Sequence, residues 1–309
     1  MASSVFMRPR ARAALAAVSS QQNFIAVATE DELLAALTVL PRSDSACYGR
    51  GINIVGDINL SQSLQLAPQH SGITITSSST SRISSNASIG TAIIANGCNG
   101  VTIENLVIGK IGAVSAGSAV SLIAVSGDGL TVRRIKISPN SDLTHLVFFA
   151  PYGSTSTFTG YGTKIIECST EDRTGSQNVS LYFQFGSTQC LNAVISKNIG
   201  FWGGIGTPPF SGVIAQRAMF VESIISDNTN LGKIDMSSID SGGKNTITGN
   251  VMKGNIIIWN SKDKNVISCN SMCGFSIDTS LSNGNNSIVG NTNVGTISNA
   301  ATDAVTSNT

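Results

Sequence analysis

Glu171 and Asp172, followed by Arg173 in Ser-Thr-Glu-Asp-Arg-Thr-Gly-Ser, are the best acidic pair in the chain, and Asp227 lies one or two repeats farther on. Two carboxylates and an arginine can cleave a glycosidic bond when the acids converge, about 5 to 5.5 Å apart for retention or 6.5 to 9.5 Å for inversion. Neighbours in a solvated loop usually point apart, so Glu171, Asp172 and Asp227 are catalytic candidates by residue type more than by geometry. No acidic pair at a repeat interval supplies calcium ligands. The cysteines at 47, 98, 168, 190, 269 and 273 have no metal-finger spacing. Neither a metal, a cofactor nor a disulfide framework is expected. Cys168 and Cys269 read as small turn or core residues.

A second chemistry is offered by aromatic rings. Between Leu143 and Phe210 the chain carries Tyr152, Tyr161, Phe201 and Trp202 among many others, whereas its last hundred residues have few. Rings on loops can stack on pyranose faces or anchor an interface. Tyr152, Tyr161, Phe201 and Trp202 are therefore the glycan or receptor candidates, with subunit packing and core filling as the other uses of the same side chains.

These residues must be positioned by a repeat. Ile-x-x-Asn recurs at Ile195–Asn198, Ile225–Asn228, Ile247–Asn250, Ile267–Asn270 and Ile288–Asn291, at intervals of 30, 22, 20 and 21 residues. A weaker register runs upstream through Ile166, Val132, Ile103 and Ile75. A sustained period near 20 marks stacked coils, each burying its apolar face on its neighbours. Nine coils at about 4.8 Å make a rod roughly 40 Å long. Asn198, Asn228, Asn250, Asn270 and Asn291 are expected to stack as an amide ladder. After the register residue, Glu104, Arg133, Glu167, Ser196 and Ser226 form a column that reads as a surface ion ladder, worth under about 1 kcal/mol per exposed pair.

The flanks differ. Residues 1–28 are read as an arm whose Arg8, Arg10 and Arg12 dock to a larger assembly. Residues 29–50 hold a helix and lead-in loop, because Thr29-Glu-Asp-Glu32 is a capping box and Leu33, Leu34, Leu37 and Leu40 make one stripe ended by Pro41. Such a helix covers the raw edge of a first coil. Residues 51–298 are the coils, and 299–309 a polar tail.

Charged residues are only 12% of the chain and hydrophobic ones 41%, which suits buried parallel strands and excludes disorder. A net charge of +1 without an evident basic stripe argues against nucleic acid. No stretch approaches the roughly 20 apolar residues of a membrane span, and the apolar run ending at Val18 is too short for a signal peptide.

The helix followed by INIVGDINLSQSLQL and GITIT, then NGVTIENLVIG, GLTVRRIKI and NTITGN, resembles the pectate-lyase-like right-handed parallel β-helices, most of all bacteriophage tailspikes and tail fibres. The likeness spans about residues 29 to 295. It implies an all-β, single-stranded right-handed parallel β-helix with an N-terminal arm and capping α-helix. Arg134-Ile135-Lys136 is similar to the Arg-Ile-Lys element of polygalacturonase-type hydrolases, but their Asn-Thr-Asp, Asp-Asp and Gly-His-Gly elements are missing here. The expectation is a virion structural and adhesion protein. It would be a homotrimer attached to other virion proteins through the arm and to a host surface glycan or receptor. A polysaccharide lyase or glycoside hydrolase on the same fold, and a capsid or surface decoration protein, are the alternatives.

Overall fold

The structure is a computed structural model that describes residues 23–40, 47–112, 121–138, 145–149, 160–170, 180–183, 189–201, 204–206, 219–236, 243–259, 264–283 and 285–309. The expected arm residues Arg8, Arg10 and Arg12 lie outside them, as do Glu171, Asp172, Tyr152 and Trp202.

Short parallel strands stack in register into a twelve-stranded, a ten-stranded and a five-stranded sheet, consistent with an all-β parallel β-helix. One coil illustrates the rule: Thr102–Glu104, Val107–Gly112 and Ser121–Ser126 contribute one strand to each sheet. Their inward side chains Ile103, Ile108 and Ile123 are fully buried. Alternation sends neighbouring side chains to opposite faces, so the short strands of the longest sheet each turn their central residue into the core and the two beside it away from it.

The inward column of the longest sheet pairs Ile25 with Ile52, then runs through Ile75, Ile103, Val132, Ile165, Ile195, Ile225, Ile247, Ile267 and Ile288 to Val305. Three features of the sequence reading are corrected by it. The buried residue of the coil assigned to Ile166 is Ile165, because two adjacent isoleucines fit either register and only one can face inward. Phe24–Val27 and Gly51–Ile54 head the sheet, so the supposed arm ends in a strand. Ala304–Thr306 pairs with Ser287–Val289, so the residues read as a polar tail contribute a further strand to the stack. The register correction also moves Glu167 out of the expected ion column. Glu104 and Arg133 do pair across adjacent coils, with Arg134 Nη2 at 3.5 Å from the same carboxylate.

The helix Glu30–Val39 covers the first coil as its capping box implies. Thr29 Oγ1 accepts from Glu32 N at 3.3 Å, and Glu32 Oε2 accepts from Ala28 N at 2.8 Å. Leu33, Ala36, Leu37 and Leu40 are buried, and the helix packs on Phe24–Val27 and Ile58–Leu60. His70 ties it down from below: its Nδ1 accepts from Ala67 N at 2.9 Å, which leaves Nε2–H to donate to Leu37 O at 3.0 Å. Thr29→Ala is expected to cost about 1 kcal/mol, read as a lower urea midpoint at unchanged slope. An unchanged midpoint would show that apolar packing alone seats the helix.

Candidate functional site

The strands Thr246–Thr248, Val266–Ser268 and Ser287–Val289 of the longest sheet are each bracketed by two buried amide columns. In the first, Asn198 Nδ2 donates to Asn228 Oδ1, Asn228 to Asn250, Asn250 to Asn270 and Asn270 to Asn291, each at 2.9 Å. Every oxygen also accepts the backbone N–H of the residue above, as Asn250 Oδ1 does from Asn228 N at 3.1 Å. Every amide also donates to the carbonyl three residues before its upper neighbour, as Asn250 does to Ile225 O at 3.0 Å. The column continues to Asn308, which takes the Asn291 amide at 2.8 Å.

The second column sits five residues earlier and was not read from the sequence. Ser223 N donates to Asn245 Oδ1, the Asn245 amide to Asn265, the Asn265 amide to Asn286 and the Asn286 amide to Asp303. The pattern Asn-x-Ile-x-x-Asn in NTITGN, NVISCN and NSIVGN was its signal. Upstream, the equivalent positions are apolar: Ile73, Val101 and Leu130 on one side, Leu106 and Ile135 on the other, all buried. Asparagine enters the second position at Asn245, where the steps shorten to 20 and 21 residues, and the first already at Asn198, where the step is still 30.

Between each strand and the first column the backbone turns through a left-handed residue. Asn105, Arg134, Glu167, Lys197, Asp227 and Cys269 share φ values between 52° and 59°, and Gly249 and Gly290 fill the same position. Asp227 therefore sits exposed at a corner, its Oδ1 lying 2.7 Å from where a Cβ on Gly249 would be. Elsewhere, Glu222 faces Lys244 at 3.3 Å and Asp235 faces Lys233 at 2.9 Å. Among the described residues, no three His, Cys, Asp or Glu side chains gather to hold a metal.

The aromatic candidates divide. Phe201 is only 1% exposed and fills the core, so its ring is not offered to a ligand, whereas Tyr161 is 52% exposed. Tyr161 closes a corner that the sequence reading passed over. Gly72 N donates to Asn99 O, Gly100 N to Asp128 O and Gly129 N to Tyr161 O, each at 2.7 Å, stacking left-handed glycines coil on coil. Tyr48, 66% exposed, lies over this strip: a Cβ on Gly72 would come within 2.5 Å of its ring. Side-chain bonds brace the corner, with Asp128 N donating to Asn99 Oδ1 and Tyr161 N to Asp128 Oδ1, both at 2.9 Å. The result is a glycine track with an exposed tyrosine at each end, the Tyr48 ring covering Gly72 and Gly100. Its signal was the Gly placed three residues before Ile75, Ile103, Val132 and Ile165.

The cysteines fall into two groups. Cys47, Cys98 and Cys168 are buried, while Cys269 and Cys273 are exposed. Cys168 and Cys269 thus do not share a position. Cys168 stands where the first ladder would place an asparagine, its N–H donating to Asn198 Oδ1 at 3.0 Å. Burial pushes the Cys168 thiol up to about 12.

No family model, curated protein or solved structure matches the chain. Among the described residues, no helix is long and apolar enough to cross a membrane.

Proposed function

We propose that the chain is a virion structural and adhesion protein, a short homotrimeric tailspike or tail fibre that attaches to a host surface glycan. In this reading its coils form a single right-handed β-helix, and the segment with Arg8, Arg10 and Arg12 docks to another virion protein. The coil number is nine or a few more, since the nine register positions are joined by strands at both ends of the longest sheet.

The outer face of the twelve-stranded sheet supports it best. Val194, Ile224 and Val266 point outward from strands of the lower half, with Ile166 and Val289 beside them, and Ile224 is 44% exposed. A flat outward row of β-branched side chains is costly to leave in water and suits burial against copies of itself around a symmetry axis. The glycine track between Tyr48 and Tyr161 supplies the adhesive part, since exposed rings at its two ends can take sugar faces.

The test begins with light scattering. The wild-type chain is expected at three times 31.9 kDa and Ile224→Glu as a folded monomer; a wild-type mass of one chain sinks the trimer. Wild type is also expected to adsorb to host surface polysaccharide and Tyr161→Ala to lose much of that adsorption. Release of new reducing ends or unsaturated products would replace adhesion with depolymerisation.

A further inference from the structure

Four successive coils carry Arg134, Glu167, Lys197 and Asp227 at the left-handed corner after the long sheet, with φ of 52°, 59°, 57° and 56°. Their N–H groups donate to Ile166 O, Ser196 O, Ser226 O and Thr248 O in the coil below. All four are exposed. Because the backbone repeats, the side chains start from equivalent places one strand spacing apart, so the charge changes sign at steps of about 4.8 Å. Among the described residues these four form no ion pair with one another within 4.0 Å.

The upper end of this ridge is organised from beneath. Glu104 is 9% exposed, and both Arg133 Nε and Arg134 Nη2 turn onto its Oε2. One carboxylate thus orients two guanidiniums whose side chains remain 45% and 47% exposed. Lys164 is exposed on the next strand. Arg133, Arg134, Lys164 and Lys197 meet Glu104, Glu167 and Asp227, four cations to three carboxylates, in a chain whose net charge is +1. The sequence reading missed it because the basic residues lie far apart along the chain and meet only when coils stack.

We infer that this ridge binds an acidic polysaccharide carrying its carboxylates or sulfates on alternate sugars. Arg134 and Lys197 are two coils apart, about 10 Å at the strand spacing, with the Glu167 carboxylate between them. A ligand with anions at that interval and hydroxyl groups between offers ion pairs to the cations and hydrogen-bond donors to Glu167. A single nucleic-acid strand, whose phosphates follow one another more closely than that interval, would press charge against Glu167 and Asp227. The spacing therefore selects a glycan. The inference rests on the glycan-attachment reading above and adds to it the charge of the ligand.

The full chain is tested against immobilised hyaluronan, which has one carboxylate on every second sugar, dextran, which is neutral, and a single-stranded DNA oligonucleotide. Wild type is expected to hold hyaluronan, to release it as salt is raised, and to bind dextran and DNA more weakly. Arg134→Ala with Lys197→Ala is expected to weaken hyaluronan binding roughly tenfold, at an unchanged melting temperature. Lys244→Ala, on the opposite corner and paired with Glu222, should leave it unchanged. DNA bound as tightly as hyaluronan, or a double variant that binds like wild type, overturns the inference. Equal binding of dextran and hyaluronan, lost in Tyr161→Ala, overturns it while leaving glycan attachment standing. Failure of the wild type to bind any saccharide, host polysaccharide included, overturns both.

Discussion

Asn250→Ala is expected to lower the unfolding free energy by about 3–5 kcal/mol, one of the largest losses any single side chain outside the apolar core can produce. Asn250 is fully buried, and its amide links three coils. Its Oδ1 accepts from Asn228 N and Nδ2 at 3.1 and 2.9 Å, and its Nδ2 donates to Ile225 O and Asn270 Oδ1 at 3.0 and 2.9 Å. Truncation leaves Asn228 N and Ile225 O without those partners where water does not reach, and opens a void between coils. Asn308→Ala, at the partly buried lower end of the same column, should cost far less. Equal losses at the two sites would show that the ladder does not act through burial.

An isosteric variant separates hydrogen bonding from volume. In Asn250→Asp a carboxylate oxygen replaces the amide nitrogen and faces Ile225 O and Asn270 Oδ1, acceptor against acceptor. Burial and these neighbours favour the protonated acid, so its folded-state pKa is raised above the unfolded value of about 3.9. With the folded pKa raised, the stability it contributes is present below that value and is lost as pH rises. Urea midpoints of this variant should therefore lie nearest wild type at about pH 4 and fall away toward neutrality. A deficit independent of pH would mean that the site admits water.

The ladder was legible because a polar residue recurring at a buried phase of a short period has few other uses. Its partner column was hidden by its upstream continuation: Ile73, Val101 and Leu130 occupy the same place in longer coils, followed by Thr163, Ala193 and Ser223, so the position carries no amide until Asn245. Register failed at Ile165-Ile166 for a related reason, since either isoleucine satisfies the pattern and only pairing with Val132 and Ile195 decides. The last coil escaped notice because its step is the shortest, at 17 residues, and its inward residue is a valine. For the site, residue type was a poor guide to exposure. Phe201 and Tyr161 looked alike as aromatics in an irregular stretch, yet one fills the core and the other faces solvent. Tyr48 and the basic ridge depend on contacts between coils that only the stacked fold defines.

Cys168 gives the second large effect, and it is one of pH. Burial, opposed by backbone N–H groups of Ile135, Ile166 and Arg134, holds its thiol up to about 12 against an ordinary 9.0. Cys98 is likewise pushed up to about 12, again chiefly by burial. A raised thiol pKa means that between these values the unfolded chain has lost a proton that the folded chain keeps. Stability is then full below about pH 9 and falls as pH rises toward 12. For Cys168, three units correspond to roughly 4 kcal/mol at the upper end. Tyrosines and lysines titrate over the same range, so the contribution has to be isolated by substitution. The structure indicates which one. The thiol already lies 3.7 Å from Val132 O, the carbonyl to which a ladder amide at this position would donate, just as Asn198 Nδ2 donates to Ile165 O at 3.0 Å. Cys168→Asn should place its Nδ2 between Val132 O and Asn198 Oδ1 and its Oδ1 toward Ile135 N, extending the column by one coil. The variant is expected to be at least as stable as wild type at neutral pH and to lose about one proton's worth of slope between pH 9 and 12. An unchanged slope would mean that Cys168 ionises in the folded coil without penalty, and a neutral-pH loss of several kcal/mol would mean that the coil above cannot accept the ladder.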